Sequence, residues 1–384
     1  MNKKVSIYYV ALLCLLLSQA TAQNIRNIHV TFLLTAPAFS ADTAVYITGG
    51  TEQLGKWNPG KVRMEHAGNH KWRKVVTLSA ASLEYKYTLG SWQYEGANAQ
   101  GQSLPNFKIT ITHDTIISDT IQYWTIGSPQ KTAQNTITGL LRYHHAMHGD
   151  NLADRDIVVW LPPDYNTDTA RHYPVIYMQD GQNVFNAATS SFGVEWRMDE
   201  ICDSLIKIHA IPSVIVVGIY NTPDRSEEYA PGNKGTAYMH FMVNTLKPFI
   251  DSVYRTLHDS KYTIVGGSSS GGLIAFMLAW QYPQVFSKAI CMSPALKISN
   301  LDYVKVVRAS PDKKKHLFLY IDVGGVGLES RLAPGIHDMV AALQAKGYKE
   351  GSDFILIIDS LAQHNEAAWS LRLPYALKWC FSKM

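Results

Sequence analysis

The chain is poor in cysteine, nearly balanced in charge and short of long apolar runs, and each shortage removes a class of protein. Four cysteines occur in 384 residues. Cys14 lies in the leader described below. Cys202, Cys291 and Cys380 are odd in number, far apart and without C-x-x-C spacing. That pattern excludes a disulfide framework and a thiolate zinc site, and reads as small buried hydrophobes. Lys and Arg total 35 against 31 Asp and Glu, for a formal charge of +4. The basic residues are scattered, so the stripe that a nucleic-acid partner requires is missing. No apolar stretch reaches the ~20 residues needed to span a bilayer, so we expect no stable membrane anchor. His144-His145-x-x-His148 is a close histidine group, but no Glu stands where a zinc hydrolase needs its base. We therefore expect no metal and no cofactor.

What is present divides by position. Met1-Asn2-Lys3-Lys4, the apolar Val10 to Leu17 and Ala20-Thr21-Ala22 form an export signal. Cleavage after Ala22 would deliver a periplasmic or secreted protein. Residues 23–127 read as short strands: Ile28–Leu34, Ala44–Thr48, Lys71–Leu78, Tyr85–Leu89, Phe107–Thr112 and Thr115–Ile121, split by turn residues. This spacing predicts a small all-β sandwich. Polar residues with Gly, Ser and Pro make 128–137 a linker. In 138–384 the pattern becomes α/β. Apolar runs at Ile157–Leu161, Val175–Met178, Val214–Gly218, Thr263–Val265, Ala289–Met292, Leu317–Val323 and Phe354–Ile358 alternate with helical periodicity. The helices are expected at Met198–Lys207, Met239–Tyr254, Leu273–Tyr282 and Ile336–Lys346. A mostly parallel sheet flanked by helices follows.

Chemistry concentrates at Thr263-Ile264-Val265-Gly266-Gly267-Ser268-Ser269-Ser270-Gly271-Gly272. A strand running through G-x-S-x-G into a helix is the context of a nucleophile elbow. Of the three serines only Ser269 has glycine two residues away on both sides. Its hydroxyl needs a base, and His364 follows the last strand, in the expected order of serine, acid, histidine. The acid should follow Leu317–Val323. We favour Glu329, on a loop beyond Gly324-Gly325-Val326-Gly327, over Asp322 on the strand itself. Ser270 N–H is the first oxyanion donor, and the loop Gln179-Asp180-Gly181-Gln182-Asn183 is the source of the second.

Residues 138–384 resemble the esterase family that includes enterochelin esterases, feruloyl and acetyl-xylan esterases and S-formylglutathione hydrolases. The resemblance rests on Val158-Val159-Trp160-Leu161-Pro162-Pro163-Asp164-Tyr165, Tyr177 to Phe185, Glu195-Trp196-Arg197-Met198-Asp199-Glu200 and Val217-Gly218-Ile219-Tyr220-Asn221. Arg225, Glu228-Tyr229, the elbow, Ser293-Pro294-Ala295 and His364-Asn365-Glu366 extend it. It implies an α/β-hydrolase fold, Gln182 as the second oxyanion donor, and substrate contacts from Trp196 and Asp180. The glycine-rich turn before Glu329 is longer than the family's usual one.

Leu54-Gly55-Lys56-Trp57-Asn58-Pro59, Glu84-Tyr85-Lys86-Tyr87 and Gly90-Ser91-Trp92 resemble a starch-binding carbohydrate-binding module. That resemblance implies a sugar platform of Trp57, Lys86 and Trp92. The expected function is an exported serine esterase acting on acetyl or feruloyl groups of a polysaccharide or oligosaccharide. The alternatives are an acyltransferase with the same triad, a siderophore-ester hydrolase and a non-catalytic glycan-binding protein.

Overall fold

Alternation of apolar residues along Lys71–Leu78 and Ile28–Thr35 puts every second side chain in a core and pairs the two runs antiparallel. The computed structural model describes residues 27–384, except 38–42, 69, 80, 93, 99–102, 126–136, 192 and 312–313. The leader at 1–22 and nearly all of the expected linker at 128–137 lie outside the described residues. The chain divides into two compact units, residues 1–126 and 127–384.

The first unit is all β. Its strands are β1 (Ile28–Thr35), β2 (Tyr46–Gly49), β3 (Glu65–His66), β4 (Lys71–Leu78), β5 (Ala81–Thr88), β6 (Gly96–Ala97), β7 (Phe107–Ile111), β8 (Thr115–Thr120) and β9 (Tyr123–Trp124). They form sheets ordered β3-β4-β1-β8, β2-β5-β7 and β6-β9. Phe32, Ile47, Trp72, Leu83, Tyr87 and Trp124 fill the core between them.

The second unit is built on one eight-stranded sheet. Its strands are β10 (Leu140–Met147), β11 (Arg155–Leu161), β12 (Val175–Gln179), β13 (Ile215–Ile219), β14 (Thr263–Ser268), β15 (Lys288–Met292), β18 (Phe318–Gly324) and β19 (Phe354–Asp359). A small hairpin, β16 (Lys297–Ile298) with β17 (Leu301–Asp302), follows β15. The order is β10-β11-β13-β12-β14-β15-β18-β19. From β13 to β19 every pairing is parallel, and β10 and β11 join antiparallel. Successive strand residues enter opposite cores, which explains the unbroken apolar runs. Ile157, Val159, Tyr177, Val217, Val265 and Ile321 face one core, and Val158, Trp160, Ile176, Val216, Ile264 and Tyr320 the other.

The helices that matter below are α1 (Met198–Lys207), α2 (Asn233–Phe241), α3 (Lys247–Val253), α4 (Ser270–Gln281), α5 (Leu328–Ala345) and α6 (Glu366–Phe381). α2 and α3 are joined through a π-helical turn, Met242–Leu246. Three differences from the sequence expectation have physical causes. Strand β10 carries exposed residues on both faces at the sheet edge, so no apolar pattern marks it. Helix α2 begins at polar Asn233, six residues before the apolar periodicity. Helix α5 begins at Leu328 rather than Ile336, because it runs through Pro334, whose missing N–H removes one bond back to Ser330. Glu329 therefore stands in the first turn of a helix and not on a loop.

Candidate active site

Parallel strands place their carboxyl ends on one edge, and the loops leaving that edge build the site. Ser269 follows β14 directly, at the N-cap of α4, with φ 56° and ψ −123°, a conformation that L-residues avoid and that is held here by its surroundings. Its N–H donates to Met292 O at 2.9 Å, and its carbonyl accepts from Leu273 and Ala295 at 3.0 Å each. A Cβ on Gly267 would lie 2.7 Å from the backbone of Gly271, and one on Gly271 3.1 Å from Asp180 Oδ2. Close approach to backbone thus requires glycine at 267, and at 271 a side chain would crowd Asp180 and Gln179. Ser268 is buried, while Ser269 and Ser270 are half-buried.

His364 Nδ1 lies 3.0 Å from Glu329 Oε1. Glu329 is fully buried; its Oε1 also accepts from the Ser293 hydroxyl at 2.6 Å and its Oε2 from Gly324 N–H at 2.8 Å. Burial pushes the carboxyl pKa up, but the bonds from His364 and Ser293 outweigh it and hold Glu329 below its ordinary value. The lengthened glycine turn has a local reason. A Cβ on Gly324 or Gly325 would strike the carbonyls of Ala362 or Ser360, so only glycines let this turn pack against the histidine loop. Asp322 points elsewhere: it is fully buried and paired with Arg372, Nε to Oδ2 2.8 Å. Ser269 Oγ makes no hydrogen bond to His364 among the described residues, and catalytic bonds of this kind commonly tighten only around substrate.

Ser270 opens α4, so its N–H has no intrahelical acceptor. Gln182 sits in a 3-10 turn, Gly181–Asn183, whose own bond is made one residue later by Asn183 N–H to Asp180 O. Close approach sets this loop too, since a Cβ on Gly181 would lie 2.4 Å from the backbone of Gly218. Asp180, buried and left-handed at φ 58°, binds Arg225 through both oxygens at 2.6 and 2.8 Å and accepts from Asn221 Nδ2 at 2.6 Å. Trp196 is 3% exposed, with its ring 5.7 Å from Trp369, which packs edge-to-face on His364 at 4.9 Å. Trp196 therefore reaches His364 through Trp369, whereas Asp180 lies beside the elbow at Gly271 and anchors its own loop to Arg225 and Asn221.

Residues without an assigned role in the sequence reading complete the surroundings. Ser293, Trp369 and Arg372 stand behind Glu329. Glu366, two residues after the histidine, is buried and accepts from Asn183 Nδ2 at 3.3 Å. Burial, reinforced by the charge of Asp180, pushes its carboxyl pKa up to about 7. Cys202, Cys291 and Cys380 are buried and unbridged. His145 pairs with Asp156 and His148 with Asp154, each at 2.9 Å, and His144 bonds the Tyr254 hydroxyl at 2.7 Å.

In the first unit the rings of Trp57 and Trp92 lie 6.5 Å apart, inclined at 35°, and both are half-buried. Trp57 has φ 63°, and the Thr88 hydroxyl donates to Pro59 O at 2.6 Å, tying the two tryptophan loops together. Lys86 Nζ pairs with buried Glu95 at 2.5 Å.

Sequence comparisons agree with this architecture. An uncharacterized protein of Bacillus subtilis, YjcH, is 29% identical over 171 residues, 44% of this chain and 65% of that relative. This chain thus spans just under two thirds of that relative's length. A ferulic acid esterase has the same fold, with TM-score 0.53 at 17% identity, covering 64% of this chain and 99% of its own. The enterobactin esterase of Shigella flexneri gives 0.53 at 13% identity, covering 88% of each chain. The starch binding domain profile matches residues 27–120. The Esterase profile, described as "Putative esterase", matches residues 152–379, and the chain belongs to that family.

Proposed function

We infer that the protein is an exported serine esterase that hydrolyses carboxylic esters, with acyl groups on a glycan as its substrate class. The observation that carries this reading is the His364–Glu329 pair on the same sheet edge as Ser269, whose backbone is held in the elbow conformation. With Nδ1–H given to Glu329, Nε2 of His364 is the free base that takes the Ser269 proton as Oγ attacks the ester carbonyl. Ser270 and Gln182 N–H groups receive the negative charge of the tetrahedral intermediate. The protonated imidazole then gives its proton to the leaving alcohol, and water attacks the acyl-enzyme by the same route in reverse. Asp180 and Arg225 hold the oxyanion loop, and Trp369, backed by Trp196, holds the imidazole.

The glycan part rests on the starch-binding domain, where Trp57 and Trp92 offer apolar faces to sugar C–H groups and Lys86 a polar edge. A second reading, a siderophore ester, is favoured by the enterobactin esterase among the similar structures. The test is release of 4-nitrophenol from a short-chain ester by residues 23–384, beside Ser269→Ala. Loss of activity in the folded variant is expected, and equal rates would remove Ser269 as nucleophile. Acetylated and feruloylated glycans assayed against a catecholate trilactone then separate the two substrate readings.

A further inference from the structure

Ser293 is wholly buried in the turn after β15, with a non-glycine backbone at φ 43°. Its hydroxyl touches three groups. Trp369 Nε1 lies 3.0 Å away, Arg372 Nη2 3.1 Å and Glu329 Oε1 2.6 Å. Indole and guanidinium nitrogens are donors only. Both acceptor positions of the oxygen are thereby filled, and its single proton has one destination, the Glu329 carboxylate. The rotor freedom of an ordinary serine is gone.

Two of these partners, Glu329 and Trp369, also reach the histidine, and the third is held by a carboxylate. Glu329 Oε1 is the atom that meets His364 Nδ1, and the Trp369 ring stands edge-to-face on the imidazole. Arg372 is tied to Asp322 by bonds from Nε at 2.8 Å and Nη2 at 3.3 Å, and Asp322 Oδ1 accepts from Ser293 N–H at 2.8 Å. A buried ion pair thus grips both the N–H and the hydroxyl of Ser293. We propose that Ser293 is the positioning residue of the acid–base pair, a one-proton donor locked onto Glu329 by Trp369 and the Asp322–Arg372 pair. This rests on Ser269, His364 and Glu329 being the triad.

Its consequence is directional. With the Ser293 proton and the Gly324 N–H in place, Glu329 has a fixed plane, and the remaining lone pair of Oε1 points at His364. Without the hydroxyl, the carboxylate turns more freely, and the donors of Trp369 and Arg372 face an empty site. The imidazole then spends less time with Nε2 toward Ser269, so the step lost is proton transfer rather than substrate binding.

The experiment uses the full mature chain with Ser293→Gly, since glycine accepts φ 43° at no cost. Ser293→Cys is the second variant; it keeps a side chain in the space with a far weaker donor. We expect kcat on a 4-nitrophenyl ester to fall about 10- to 100-fold with KM unchanged, as for losing a hydrogen bond to a charged group. The downfield proton resonance of His364 Nδ1–H should move upfield in both variants without substrate present. In a Glu329→Gln background, removing the hydroxyl should cost no further activity. Wild-type kcat and an unmoved proton resonance in either folded variant would overturn the proposal, as would a full additional loss in the Glu329→Gln background. Ser269→Ala run alongside separates this from the triad reading: activity surviving there sinks the triad itself, whereas a dead Ser269→Ala beside unaffected Ser293 variants sinks only the role of Ser293.

Discussion

Glu329 meets His364 at 3.0 Å across 35 residues of sequence, while Asp322, on the adjoining strand, is given over to Arg372. The two carboxylates therefore respond differently to neutralisation. Glu329→Gln should lower kcat by roughly 10³–10⁴-fold with little change in KM, because the imidazole loses its orienting acceptor. Asp322→Asn should instead lower stability by about 3–5 kcal/mol, having left a buried guanidinium unpaired. Kinetics and urea unfolding on both variants check this. A stable Asp322→Asn protein as inactive as Glu329→Gln would reverse the assignment.

The elbow glycines differ in what they face. A methyl on Gly267 would press on the backbone of Gly271, which has no room to move, whereas one on Gly271 meets the Asp180 and Gln179 side chains. We expect Gly267→Ala to lose about 3 kcal/mol or more, and Gly271→Ala about 1 kcal/mol. Denaturant midpoints decide the order, and Gly271→Ala at least as damaging as Gly267→Ala would contradict it.

The Asp180–Arg225 pair supports the loop that offers Gln182 N–H. Asp180→Asn keeps the shape and weakens the grip, so kcat should drop about 10–100-fold, somewhat less than outright loss of an oxyanion donor. KM for a small ester should stay within about twofold of wild type, since the pair acts on the transition state. An unchanged kcat would show that the loop holds itself.

Glu366 carries a pH signature. Its carboxyl pKa is raised to about 7 in the fold, from 4.5. Between those values the folded state keeps a proton that the unfolded chain has released, so this residue makes stability fall as pH rises through the window. Above pH 7 the cost is fully present, at about 3 kcal/mol or less. Glu366→Gln lacks that titration. Its Tm relative to wild type should rise from pH 5 to pH 8, and a flat difference across that range would refute the assignment.

Trp57→Ala and Trp92→Ala should each weaken retention on insoluble starch by about tenfold, equivalent to ~1.4 kcal/mol. Hydrolysis of a soluble 4-nitrophenyl ester should be unaffected. Wild-type retention in both variants would make the tryptophans structural.

Much of this protein is legible in one dimension because its signals are local. Apolar runs buried on both faces name β11 to β15 and β18, and a half-buried apolar run names the edge strand β19. The glycine spacing around Ser269 singles out one serine of three, since steric demands within five residues do not depend on the rest of the fold. The half-exposed faces of β10 and the polar start of α2 left no such mark. Nor did the choice between Asp322, near the end of β18, and Glu329, just beyond it. It was decided by Arg372, a residue of the last helix that claims one carboxylate and leaves the other to His364. Ser293 is a similar case: as a letter it is a serine before a proline, and it becomes a committed donor only where Trp369 and Arg372 converge on its oxygen. Partners far apart in sequence are brought together by the sheet order, and hydrogen-bond direction is set by which atoms arrive, so these features exist only in the tertiary structure.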